Sequence, residues 1–203
     1  MQNRVRRIAL TGGIATGKSH VLNVFEQAGI PTLDTDAVAR DVVRPGSDAL
    51  PQITQRFGGS FLDADGALNR RALADLIFAD PHARRDLEAI VQPRIREKTN
   101  QWLAGLDPAV HRFAVVAIPL LYETGGERNF DVVIATHCAP DAQLHRLMTR
   151  NSLTEEAARR WIAAQLPSAE KAARADYVVS TDGSVEQTDE QVQALIQKLD
   201  AGS

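Results

Sequence analysis

Apolar residues in this chain fall into two arrangements, short continuous runs and stripes at helical spacing. Arg4–Leu10 is a short run that reads as a buried strand, and it leads into Thr11-Gly12-Gly13. From Ser19 to Ala28 the apolar positions Val21, Leu22, Val24 and Phe25 recur at helical spacing, and Gly29 supplies a stop. Ile30–Leu33 is a second short strand, ending at Asp34. Strand, glycine turn, helix, strand predicts the opening of a parallel α/β sheet.

From about Thr35 to Val110 the pattern is almost entirely helical, divided by Gly46, Gly58-Gly59 and the turn Asp63-Ala64-Asp65-Gly66. Pro81 suits the first turn of a helix opened by Asp80, whereas Pro93 lies inside a helical pattern and predicts a kink. Strands resume at Phe113–Ile118 and Asp131–Thr136, followed by helices at Asp141–Arg150 and Thr154–Gln165. Asp176–Ser180 reads as a last strand and Asp182-Gly183 as a turn. Val192, Leu195, Ile196 and Leu199 form one face of a closing helix. The expectation is five strands in one sheet, with helical segments inserted after the second and after the fourth.

Composition adds exclusions. The 203 residues, 44% hydrophobic and 24% charged, fit one globular domain with an elaboration. A net charge of −3 argues against general affinity for nucleic acid or an acidic membrane, while leaving a local anion site open. The single cysteine, Cys138, excludes an intrachain disulfide framework and fits a reducing compartment. No run approaches the ~20 apolar residues of a membrane span. The apolar part of the opening MQNRVRRIALTGG is too short for a signal-peptide core, so the expected location is cytoplasmic.

The strongest chemical signal is Gly12-Gly13-Ile14-Ala15-Thr16-Gly17-Lys18-Ser19, a full match to G-x-x-x-x-G-K-[ST] between a strand and an amphipathic helix. Successive backbone N–H groups must converge on a phosphate, and glycine lets the chain wrap that closely. The helix N-terminus adds a partial positive charge. Nucleotide contacts are therefore expected from Gly13, Ile14, Ala15, Thr16, Gly17, Lys18, Ser19 and His20. Lys18 would reach the β- and γ-phosphates, and the Ser19 hydroxyl would ligate Mg²⁺. No N-K-x-D guanine-reading sequence is present, and Val115–Ile118 runs into Pro119 rather than the Asp of a motor or transporter ATPase. Instead Asp34-Thr35-Asp36 follows the second strand, where the carboxyl ends of parallel strands face the ligand. A carboxylate there can accept a hydroxyl proton or organise Mg²⁺ through water, although Asp36 is also well placed to cap a helix starting at Ala37.

In combination these motifs resemble those of the bacterial dephospho-CoA kinase family, and the likeness runs nearly end to end. ALTGGIATGKS is similar to that family's opening and Asp34-Thr35-Asp36 to its D-x-D. Leu68-Asn69-Arg70-Arg71-Ala72-Leu73 is similar to its helical substrate region, and Pro119-Leu120-Leu121-Tyr122-Glu123 to its P-L-L-x-E signature. Gln143-Leu144, Arg146, Met148 and Arg150, then Ala163-Ala164-Gln165, resemble its mobile lid. The chain departs from the family at His20, Gln92, Asn151, Trp161 and Thr181, where Thr, His, Asp, Arg and Asn are usual.

The resemblance implies a three-layer α/β P-loop kinase fold with a five-stranded parallel sheet. Its core would span about residues 1–45, 111–140 and 175–203, with a helical substrate-binding insertion at about 46–110 and a helical lid at about 141–174. It implies transfer of the ATP γ-phosphoryl to the 3′-hydroxyl of dephospho-CoA, with Mg²⁺ as cofactor. Lys18, Asp34, Arg146 and Arg150 would be catalytic. Asp34, Asp36, Asn69, Arg70, Pro119, Leu120, Leu121, Glu123 and Gln165 would contact the acceptor. From spacing alone, Arg146 and Arg150 share a helix face and fit either a phosphate clamp or a solvated basic face. Glu123 fits either a substrate contact or a loop carboxylate turned to water. Two other functions stay open at this point: a P-loop kinase for another nucleoside or nucleotide acceptor, and a nucleotide-gated binding module. His82, His111, His137 and His145 have no metal-ligand spacing. Cys138, Trp102 and Trp161 read as packing residues, Trp161 with an option on the lid surface.

Overall fold

Successive strand residues point to opposite faces of a sheet, and β1 (Arg6–Gly12) obeys this: Ile8 and Leu10 enter one apolar cluster while Ala9 enters another. The computed structural model describes residues 4–201, the Phe78 side chain excepted, so residues 1–3 and 202–203 of the expected core segments lie outside the described residues. After β1 come α1 (Lys18–Gln27), β2 (Thr32–Asp34), α2 (Thr35–Val42), α3 (Ala49–Phe57), α4 (Arg70–Ala79) and α5 (Pro81–Ala104). The chain continues with β3 (Phe113–Ala117), β4 (Val132–His137), α6 (Pro140–Asn151), α7 (Glu155–Ala163), α8 (Ser168–Arg174), β5 (Tyr177–Ser180) and α9 (Val185–Ala201). Two compact units divide it, one made of residues up to Asp34 and from Leu106 onward, the other of Thr35–Gly105.

The first unit carries all five strands, in the order β2-β3-β1-β4-β5 and parallel throughout. On one face, Val21, Val24 and Phe25 of α1 and Val192, Leu195 and Leu199 of α9 bury against Ile8, Leu10, Phe113, Val115 and Ile134. Phe25 and Phe113 are fully buried, each contributing about 1.5–3 kcal/mol through removal from water. On the opposite face Ala9 and Val133 pack with Leu121 and Tyr122, and α8 lies along β4 and β1. Helix, sheet, helix is the three-layer arrangement that the resemblance implies.

The boundaries differ in informative ways. β1 runs on to Gly12 because Thr11 and Gly12 pair with Ala135 and Thr136 of β4. α8 is absent from the expected elements because its buried residues are Ser168 and Lys171, both polar, so no apolar stripe announces it. In the second unit, Asp80 caps α5, its carboxylate accepting from the His82 N–H at 2.8 Å, and Pro81 takes the first turn. Pro93 sits inside α5 without ending it. Lys98–Asp41 joins α5 to α2, and Arg56–Asp86 joins α3 to α5 at 2.6 Å.

Candidate active site

The loop between β1 and α1 is built by close approach. A Cβ on Gly12 would stand 2.1 Å from Thr136 Oγ1, so only glycine lets the strand end pass there. Gly17 turns into α1 at φ 85° and is the helix N-cap, and a Cβ on it would meet the Thr181 side chain at 2.9 Å. Ala15 also sits at φ 60°, a left-handed conformation that costs a non-glycine residue about 1–2 kcal/mol. Such strain persists only where neighbours over-determine the backbone, and here they do. The fully buried Thr16 donates its hydroxyl to the Gly13 carbonyl (2.8 Å) and meets the Thr136 hydroxyl (2.7 Å). The Thr181 hydroxyl donates to the Thr16 carbonyl at 3.1 Å. The Ile14 N–H donates to Gln165 Oε1 (2.9 Å), and Gln143 Nε2 donates to the Ile14 carbonyl (2.8 Å).

Lys18 and Ser19 open α1, and Ser19 is exposed. The His20 ring is taken up by Asp189 of α9 at 2.7 Å. The two arginines of α6 diverge. Arg146 is half-buried, and its guanidinium donates to the Thr181 hydroxyl (3.0 Å) and the Thr181 carbonyl (2.5 Å). Arg150 is exposed and donates to Asn151 Oδ1 at 2.8 Å. Cys138 is fully buried, and burial pushes its thiol up, which keeps it protonated and inert, as packing predicts.

Beyond β3, the P-L-L-x-E turn is organised by a residue that the sequence pattern did not single out. Lys171 of α8 has a side chain with no exposure, and its ammonium donates to the Pro119 carbonyl at 2.6 Å and pairs with Glu123 Oε1 at 2.8 Å. The same oxygen accepts from the Leu166 N–H at 3.0 Å, so the Glu123 carboxylate is anchored rather than loose in water. Leu121 is fully buried in the sheet's apolar face, while Pro119 and Leu120 are half-buried. Arg174 stacks over the Tyr122 ring at 4.1 Å, and burial pushes the Tyr122 hydroxyl up. Only the pairing of a P-L-L-x-E turn with a lone lysine in a small-residue segment hinted at Lys171. Gln143 and Thr181 were visible only as letters in a likeness.

Asp34 ends β2 and is half-buried. It pairs in register with Ala117, which on its other side pairs with Leu10, so Asp34 stands at the sheet end that carries the loop. α2 begins at Thr35 rather than Ala37, which puts the exposed Asp36 inside its first turn. In the helical unit, Asn69 caps α4 by accepting from the Ala72 N–H at 3.0 Å, and Arg70 donates to the Arg40 carbonyl at 2.9 Å. The Ser19 hydroxyl and Asp34 carboxylate are hard oxygen donors of the kind Mg²⁺ takes alongside phosphate oxygens. Among the described residues no group of three or more His, Cys, Asp or Glu forms a metal cluster, and no helix is long and apolar enough to cross a membrane.

This geometry agrees with comparisons to known proteins. The dephospho-CoA kinase family model matches residues 6–187. The dephospho-CoA kinase of Syntrophotalea carbinolica is 45% identical over 195 residues, covering 96% of this chain and 92% of that protein. The crystal structure of TT1252 from Thermus thermophilus superposes with a TM-score of 0.81 at 31% identity, covering 97% of this chain and 98% of the other. The dephospho-CoA kinase from Campylobacter jejuni gives 0.73 at 26% identity, with the same coverage of 97% and 98%. A phosphate-cradling loop, a carboxylate at the end of the second strand and this likeness along nearly the whole chain lead to one conclusion: the chain belongs to the dephospho-CoA kinase family.

Proposed function

We propose that this chain moves the γ-phosphoryl group of ATP to the 3′-hydroxyl of dephospho-CoA, giving CoA and ADP in the last step of CoA synthesis. The observation that carries the reading is the strand–loop–helix at Gly12–Ser19, with left-handed Ala15 and Gly17, in a chain of this family. The acceptor oxygen forms the new bond to the γ-phosphorus as the bond to the bridging oxygen of ADP breaks, and Asp34 takes the hydroxyl proton. Lys18 and the loop N–H groups hold the phosphates. The Ser19 hydroxyl would hold Mg²⁺, which would supply positive charge against the β- and γ-phosphates. Arg146 and Arg150 offset charge on the transferring group and, with α6 and α7 as a lid, keep out water that would otherwise accept it. Asp36, Asn69, Arg70, Pro119, Leu120, Leu121, Glu123 and Gln165 shape or support the acceptor site. The helical unit serves as the substrate-binding insertion, and the protein works in the cytoplasm.

The test is ADP release with ATP and Mg²⁺, with and without dephospho-CoA. Release that depends on dephospho-CoA and yields CoA supports the reading. Equal release with AMP or nucleosides as acceptors replaces it with a broader kinase, and acceptor-independent release replaces it with an ATPase or switch.

A further inference from the structure

The loop carbonyls are held by specific partners, and that has a geometric consequence for the N–H groups. In a planar trans peptide the C=O of one residue and the N–H of the next point in opposite directions, so gripping the oxygen aims the hydrogen. The Gly13–Ile14 peptide demonstrates it. Its oxygen is taken by the Thr16 hydroxyl, and its N–H, on the opposite side, meets Gln165. The next peptide, Ile14–Ala15, is gripped by Gln143, a side chain only 5% exposed on α6. The Gln143 amide comes so near the loop that a Cβ on Gly13 would lie 2.8 Å from its Nε2. The Thr16–Gly17 peptide is gripped by the Thr181 hydroxyl, itself bound by Arg146 one turn along α6 from Gln143. Among the described residues neither the Ala15 nor the Gly17 N–H has a protein acceptor. Two oriented, unspent donors on the left-handed residues Ala15 and Gly17 make an anion-binding nest.

We infer that Gln143 is a positioning residue for the phosphate-binding loop: its amide, by holding the Ile14 carbonyl, turns the Ala15 N–H toward the nucleotide's phosphates. The assignment rests on the nucleotide-binding reading above and extends it to a residue outside the loop. α6 thereby acts on the loop at two points, through Gln143 at the Ile14 carbonyl and through Arg146 and Thr181 at the Thr16 carbonyl. A glutamine suits the position because it donates while remaining uncharged in a buried place.

The experiment compares the unmodified chain with Gln143→Met, which keeps the volume, and Gln143→Glu, which keeps the shape but loses the donor when ionised. ADP affinity is measured by calorimetry, KM for ATP and for the acceptor by steady-state kinetics, and folding by thermal unfolding. Each folded variant should bind ADP about tenfold more weakly, the loss expected for one oriented hydrogen bond. KM for ATP should rise well beyond any rise in KM for the acceptor, a split that general loosening of the fold would not produce. A folded variant with parental ADP affinity, or with both KM values raised alike, overturns the assignment. In the unmodified chain, ADP should shift the Ala15 and Gly17 amide protons downfield in nitrogen-correlated NMR spectra, a readout independent of whether the variants fold. An Ala15 amide that does not respond to bound ADP overturns the assignment while the nucleotide reading stands. Failure of the unmodified chain to bind ADP at all overturns both.

Discussion

The phosphate-binding loop and the helix caps of the unit Thr35–Gly105 draw on polar side chains over very different distances along the chain. Thr136, Gln143, Gln165 and Thr181 reach the loop from 120 to 165 residues away. In the helical unit, Asn69 caps three residues ahead and Asp80 two. The loop is thus shaped only once β4, α6, the α7–α8 connection and the end of β5 are all in place. Long-range anchoring can hold a strained residue such as Ala15, whereas a local cap only starts a helix. The difference separates residues that aim chemistry from residues that stabilise an element, and substitutions can test each side.

The largest effect should come from Lys18. Lys18→Ala is expected to cut turnover by about 10²–10³-fold or more, the loss of a preorganised cation facing the transferring group. Among the described residues no side chain is paired with Lys18, so the melting temperature should stay near the parent's. Turnover close to the parent's in a folded variant would move the chemistry away from this loop.

The two α6 arginines come next, because one has joined the loop's anchoring and the other has not. Arg146→Ala removes two hydrogen bonds to Thr181, and charge-assisted bonds of this kind are worth about 1.5–3 kcal/mol. Both kcat/KM for ATP and thermal stability should fall, the former by about 10–100-fold. Arg150→Ala removes an exposed contact to its neighbour, so it should slow turnover without moving the melting temperature. Two variants that differ from the parent only in stability would make both residues structural.

Legibility in the sequence followed the same division. The five strands and the α1 and α9 stripes were readable because their periods are set by burial against the sheet. Gly12–Ser19 was readable because backbone closeness demands glycine at fixed spacing. Lys171 and α8 were not, since a buried lysine is tolerated only through a carbonyl and a carboxylate that arrive from the turn after β3. Thr181 stands where the family usually has Asn, and only the fold reveals that its hydroxyl links Arg146 to the loop. Arg146 and Arg150 looked equivalent by spacing because helical period reports which face a residue shares, not what waits opposite it. Asn69 and Arg70 carry a family likeness, yet here one side chain closes a helix end and the other binds the Arg40 carbonyl.

Asn69 gives a smaller and sharper comparison. Asn69→Ala should destabilise by about 1 kcal/mol through the lost cap, and Asn69→Ser should recover most of it because serine caps nearly as well. Thermal unfolding reads the cap and acceptor KM reads substrate contact. If serine restores stability but leaves acceptor KM raised, the side chain serves both purposes. If serine restores both, the cap accounts for its whole effect.

The smallest expected effect distinguishes the two regions by pH. The Asp80 carboxylate accepts the backbone N–H of His82, and also that of Ala83, and these bonds hold it below its ordinary value. A carboxyl with a depressed folded pKa adds stability that is complete above its unfolded value, about pH 4, and that fades as pH falls through the folded value. Asp80→Asn keeps a capping oxygen but has no proton to gain. The stability difference between parent and Asp80→Asn should therefore be constant near neutrality and shift against the parent as pH drops below about 4. Taking the difference cancels the other carboxylates, which titrate in both proteins. The side chains that hold the loop, Thr136, Gln143, Gln165, Thr181 and Arg146, include no carboxylate. Hence Gln143→Met should show a stability difference from the parent that stays flat across the same acid range. A sloping difference for Gln143→Met together with a flat one for Asp80→Asn would reverse the contrast between the two regions.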